Sequence, residues 1–151
     1  MQQLDDSSKS DGVVDSGPWH HQITETVRWS DVDRLGHVNH LAYLRWCEDV
    51  RNEHAVKAGL PEPGSGQYSQ VVVSMTVDYL APINFGATVQ VKMRIEKIGK
   101  SSLRSITEIC EPSGRTCARV STTTVMCFDA SGQKRLWTEA EKTILMAPIS
   151  N

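Results

Sequence analysis

At 151 residues, with 39% hydrophobic and 23% charged residues, the chain has the size and composition of one globular domain, not of a disordered segment. Its net charge of -2 offers no global attraction to nucleic acid or to an anionic membrane, and no run of 18 apolar residues supplies a membrane span. The polar, acidic start has no apolar signal core, so a cytoplasmic protein is expected. In that compartment the four cysteines, none in a C-x-x-C pair, read as small buried thiols.

Residues 1–18 carry four acids and one lysine and almost no large apolar groups, which predicts a flexible tail. An ordered domain is expected over 19–147, with a short tail over 148–151. "HQITETVRW" alternates as a strand does, and "SDVDRLGH" breaks both periods and reads as a loop. Asn39 is a good N-cap for a helix over 40–58, with Tyr43, Cys47, Val50 and His54 at helical spacing and Gly59 and Pro61 as stops. Arg45 and Asp49, and Glu53 and Lys57, stand four apart and suit its outer face. The rest reads mainly as strands joined by hairpins. Val71, Val73, Met75, Val77 and Tyr79 are expected on one face, "VQVKMRIEKI" alternates cleanly, and "SSLRSITEIC" alternates poorly enough to suggest a bulge or two used faces. A threonine-rich strand ends at "DASG", and a short last strand or tail is expected after "LWTEAEK". One apolar helix against an antiparallel sheet is an α+β arrangement. One helix covers one sheet face, so a second subunit is expected on the rest.

Residues 28–51, "RWSDVDRLGHVNHLAYLRWCEDVR", gather the chemistry. Asp31 and Asp33 precede a helix N-terminus, which offers unpaired N–H groups and the positive end of a dipole. N–H groups there can polarise an ester or thioester carbonyl, and a neighbouring carboxylate can attack it or activate water. The same acids can also merely cap the loop or the helix. His37 and His40 lack the spacing and the third ligand of a zinc site, so no metal is expected. There is no G-x-S-x-G, and "GKS" at 99–101 joins two strands without opening a helix. Lys92, Arg94, Lys97, Lys100 and Arg104 form a basic cluster that can meet phosphates or simply be a solvated strand face.

The pattern W-x-D-x-D-x-x-G-H-V-N-H-x-x-Y-x-x-W-x-E-x-x-R, from Trp29 to Arg51, resembles the 4-hydroxybenzoyl-CoA thioesterase branch of the hotdog-fold superfamily. "DYLAPINFGATVQV", residues 78–91, resembles its second signature, and the likeness spans about residues 20–146. The resemblance implies a hotdog fold: one long central helix wrapped by an antiparallel sheet of five to six strands. It further implies an acyl-CoA thioesterase in which Asp33 is nucleophile or general base. Gly36 to Leu41, most of all the His40 backbone, would polarise the carbonyl, with Asn39 as cap. Tyr43 and Trp46 would line or support the acyl pocket, or serve as plain core. Lys97, Lys100 and Ser101 would meet the coenzyme A phosphates. Coenzyme A enters as part of the substrate and no separate cofactor is implied. A homodimer or homotetramer is expected, with no nucleic-acid or membrane partner. Arg34 departs from the Pro or Ala found after the catalytic Asp in some members. Two other readings stay open: a hotdog enoyl-CoA hydratase or dehydratase, and a non-catalytic acyl-CoA-binding protein.

Overall fold

The computed structural model describes residues 17–62 and 64–149; the tail expectations for 1–16 and 150–151 lie outside the described residues. Asn39 caps the long helix as the sequence predicts. Its side chain accepts the Leu41 N–H at 2.9 Å and its carbonyl accepts that of Ala42. The helix, α1, runs His40–Lys57, and Gly59 at φ 97° turns the chain out of it. Its buried stripe includes Tyr43, Trp46, Cys47, Val50 and His54.

Five strands follow the expected pattern: β1 (His21–Thr26) before α1, then β2 (Tyr68–Tyr79), β3 (Thr88–Ile98), β4 (Ser102–Cys110) and β5 (Thr116–Phe128). They form one antiparallel sheet in the order β1-β3-β4-β5-β2. Only β3–β4 and β4–β5 are hairpins, since β2 crosses to the far edge and pairs with β5. On the helix-facing side Val91, Met93 and Ile95 of β3 lie beside Ile109, Thr107 and Ser105 of β4 and Ala118, Val120 and Thr122 of β5. With α1 they make the core. This is the hotdog arrangement. Among the described residues no helix is long and apolar enough to cross a membrane.

Three local readings need correction. The sequence puts Val71, Val73, Met75, Val77 and Tyr79 on one face of β2, but the register slips between Val72 and Ser74. Val73 is the extra residue of a bulge, so Gln70 and Val72 join Met75 and Val77 on the helix side. The segment after "LW" is a helix, α2 (Glu139–Met146), not a strand. Thr138 and Glu141 close a capping box at its start, and Leu145 is buried. Arg45 pairs with Asp31 at 2.5 Å rather than with Asp49, whereas Glu53 and Lys57 pair as expected at 2.7 Å. β4 is buried on both faces, Ile106 and Cys110 opposite Ser105 and Thr107, which explains its poor alternation. All four cysteines are free thiols.

Candidate active site

The loop between β1 and α1 is held from several sides. A 3₁₀ turn, Trp29–Asp31, leads into it. Asp31 is buried and accepts hydrogen bonds from the Arg28 N–H at 2.8 Å and from Arg45 Nη2. Burial pushes its carboxyl upward, but those two donors outweigh burial and hold it below the ordinary carboxylate range. The Asp31 carbonyl accepts the Asn39 N–H at 2.7 Å, and the Val38 N–H donates to the Ile83 carbonyl at 2.8 Å. Asp31 is thus the anchor of the loop, as expected.

Asp33 sits at the exposed turn of that loop. Its N–H donates to the His37 carbonyl, and its Oδ1 accepts the Leu35 N–H at 2.8 Å. Oδ2 has no hydrogen-bond donor among the described residues. Gly36 supplies the φ of 77° that reverses the chain, a conformation an L side chain adopts only with strain. At the start of α1, Asn39 consumes the N–H groups of Leu41 and Ala42. The His40 N–H, first in the helix, has no intrahelical acceptor and no other partner among the described residues. His37 holds the turn through its carbonyl and its bridge to Asn84, and it lines the cleft beside Asp33.

Asp33 and His40 line the same cleft of about 360 Å³, closed by Tyr43, Tyr79, Leu80 and Pro82. The Tyr79 hydroxyl donates to the His40 carbonyl at 3.2 Å, and its ring meets that of Tyr43 edge-on at 5.2 Å. Burial pushes the Tyr43 phenol up to about 12, so it stays neutral and acts as wall, not base. Trp46 is 1% exposed, packs 5.6 Å from Tyr43 and lines none of these clefts, so it serves as core. On the other side of Asp33 a second cleft, about 660 Å³, lies between Trp29, Phe85 and Arg34. Trp29 is 79% exposed and stacks edge-on with Phe85 at 5.6 Å. Asp33 therefore stands on the wall shared by two clefts.

The structure brings Asp33, Gly36, Asn39, His40 and Tyr43 together. Lys97, Lys100 and Ser101 lie elsewhere, at the β3–β4 turn. The loop follows the β1 end paired with Thr88, and Lys97 is nine residues further along β3, up to about 30 Å. The wider basic cluster is partly spent: Arg94 lies under the Trp19 ring and Arg104 pairs with Glu96 at 2.7 Å. Tyr79 is a site residue that the sequence reading placed on a strand face and within the second signature, without a role. It meets His40 and Tyr43 because long-range pairing brings β2 to the helix start.

A family profile described as the thioesterase-like superfamily matches residues 27–146. The chain is 30% identical over 96 residues to the 1,4-dihydroxy-2-naphthoyl-CoA hydrolase of Synechococcus sp. (strain CC9605), covering 58% of this chain and 63% of that one. It is 32% identical over 75 residues to acyl-CoA thioesterase YbgC of Helicobacter pylori (strain ATCC 700392 / 26695), covering 49% and 55%. The matched stretch thus spans less than two thirds of either relative. Among solved structures, the PA5185 protein of Pseudomonas aeruginosa aligns with a TM-score of 0.79 and 25% identity, covering 87% of this chain and 93% of that one.

Proposed function

The chain belongs to the thioesterase-like superfamily, and on that premise we propose that it hydrolyses an acyl-CoA thioester to a free acid and coenzyme A. The observation that carries the reading is the pairing of an unencumbered carboxylate oxygen of Asp33 with the unpartnered His40 N–H on one cleft. The thioester carbonyl oxygen sits at the His40 N–H, where the helix dipole favours the charge that develops on it. Asp33 then acts in one of two ways. It attacks the carbonyl, expels the coenzyme A thiolate and forms an anhydride that water opens. Alternatively it takes a proton from water, which adds to the carbonyl, and the thiolate leaves with that proton. In both cases one C–S bond breaks, one C–O bond forms and water is consumed. The chain's sequence relatives carry names of the same chemistry.

The acyl group occupies the cleft with Tyr43 and Tyr79, and the pantetheine leaves past Trp29, Phe85 and Arg34. Lys97, Lys100 and Ser101 stand at the far end of β3 and its turn, up to about 30 Å from the same chain's Asp33, so in this reading they meet the phosphates at a neighbouring copy's site. A homodimer is part of the reading. Among the described residues β2 pairs only with β5, and it exposes Val71, Val72 and Val73, an apolar edge that a second copy covers. The reaction belongs in the cytoplasm, where acyl-CoA substrates are made. Thiol release from aryl, short, medium and long acyl-CoAs tests the proposal. Release from at least one class supports it. Loss of enoyl-CoA absorbance without thiol release, or tight binding of coenzyme A without turnover, contradicts it in favour of a hydratase or a binding protein.

A further inference from the structure

A further groove lies along α1 beyond the candidate site. His40, Leu44, Glu48 and Arg51 stand four, four and three residues apart and so share one stripe of the helix. That stripe faces β2, whose bulge at Val73 turns Gln70, Val72 and Met75 toward it. The space between them is a cavity of about 440 Å³. Its first lining residue on α1, Leu44, follows Tyr43 of the cleft beside Asp33 in sequence.

The deep end of this cavity is polar and unsatisfied. Arg51 Nη1 is buried without a hydrogen-bond partner. Glu48 is the nearest opposite charge, but it is exposed and makes no ion pair with Arg51 among the described residues. Glu48 keeps its water while Arg51 has lost much of its own. The sheet floor repeats the pattern. Thr107 touches the Cys47 thiol of α1, which fixes the helix-facing side of β4. On that side Met75, Thr122 and Ser105 stand in one row across three strands. Met75 is a wall of the cavity, and the hydroxyls of Thr122 and Ser105 behind it are buried with no partner. The Arg51 guanidinium on the cavity wall, with two unpaired hydroxyls one layer behind Met75, is a receptor for a group that accepts hydrogen bonds, and a guanidinium fork fits a carboxylate best.

We propose that the α1–β2 groove holds the acyl chain and that Arg51, with Thr122 and Ser105 behind it, receives a carboxylate at the chain's far end. The substrate class is then the mono-thioester of a dicarboxylic acid. This rests on Asp33 and His40 as the hydrolytic site and adds what the acyl group must carry. The length follows from the helix. Eleven residues from His40 to Arg51 rise about 16 Å, and a helical side chain leans back about one turn, leaving about 11 Å, which suits a chain of medium length. Because the groove opens beside the unpaired edge of β2, a second copy there forms its outer wall.

The test is kcat/KM for suberyl-CoA against octanoyl-CoA, which differ only in the terminal carboxylate, on wild type, R51M and T122V. Wild type prefers suberyl-CoA by more than tenfold. R51M lowers that ratio about 10- to 100-fold, as loss of a charged hydrogen bond does, and T122V lowers it less. Circular dichroism confirms that each variant folds, and T122V carries the test if R51M does not. If wild type releases thiol from another acyl-CoA class but from neither of these two, this inference alone falls; if it releases thiol from none, the hydrolytic reading falls as well. If it hydrolyses both with a ratio near one, or the variants leave the ratio unchanged, the groove assignment alone is wrong. An unchanged ratio together with loss of the dimer by sedimentation would assign Arg51 to a subunit contact instead.

Discussion

Asp31 is expected to hold the site without touching substrate, and a double-mutant cycle with Arg45 measures this. Asp31→Asn keeps the shape of the side chain but removes its charge and turns one acceptor into a donor facing the Arg28 N–H or the Arg45 guanidinium. Breaking a fully buried pair costs about 3–5 kcal/mol, and a fully exposed one about 0.2–1. The Asp31 side chain is 1% exposed and that of Arg45 49%, so the expected loss lies between these limits, about 2 kcal/mol, or roughly 6 °C in Tm. In the cycle D31N, R45M and the double variant, a coupling of about 1–2 kcal/mol is expected in denaturant unfolding. Activity should fall further than stability. A displacement of about 1 Å at the Asp33 turn costs about 10²-fold in kcat, while KM, set by the clefts, moves little. Full unfolding additivity, or wild-type kcat in D31N, refutes the claim that this ion pair positions the loop. The folded carboxyl is depressed, so the contribution is complete above the unfolded value of about 3.9 and is lost as pH falls through the lower folded one.

His54 sets a second acid limit. Burial pushes its imidazole down to about 4, with the charges of His20 and His21 adding to the effect at ring distances of 6.1 and 6.2 Å. The unfolded chain protonates it near 6.5, so stability is full above that pH and is lost between 6.5 and about 4, by up to about 3 kcal/mol. H54F should flatten the urea-midpoint curve in that window, and an unchanged slope contradicts the assignment. Gly36→Ala meets no atom within 4 Å, so its cost is the backbone at φ +77° alone, about 1 kcal/mol, and kcat should drop while the Tm falls by only about 3 °C. A monomer in sedimentation equilibrium at micromolar concentration would contradict the dimer proposed along the β2 edge.

The parts of this molecule that were legible in sequence are those set by local chemistry. Asn39 announces its helix because a cap acts over three residues, and Gly36 announces its turn because it alone takes the required φ without strain. Asp33 was legible as a member of a motif, and its free Oδ2 is visible only once Leu35 and His37 are in place around it. Long-range features were hidden. The bulge at Val73 is fixed by pairing with β5, and it decides that Gln70 and Val72 face α1. The partner of Arg45 is 14 residues away in Asp31, across a loop no period describes. Arg51 looks like a surface arginine in its motif, but it is half-buried beside β2 with its Nη1 shut off from water. The start of α2 is a local signal of the same kind as Asn39: Thr138 and Glu141 are a capping box in plain sequence.

The most direct test of the central claim is single-turnover thiol release by Asp33→Asn with the best acyl-CoA substrate, alongside circular dichroism. Asp33 is exposed and bonds only within its own turn, so the variant should fold as wild type does. The account predicts a fall in the chemical rate of at least about 10²-fold with substrate binding retained. Wild-type release by a folded Asp33→Asn would contradict it and move the chemistry to another group.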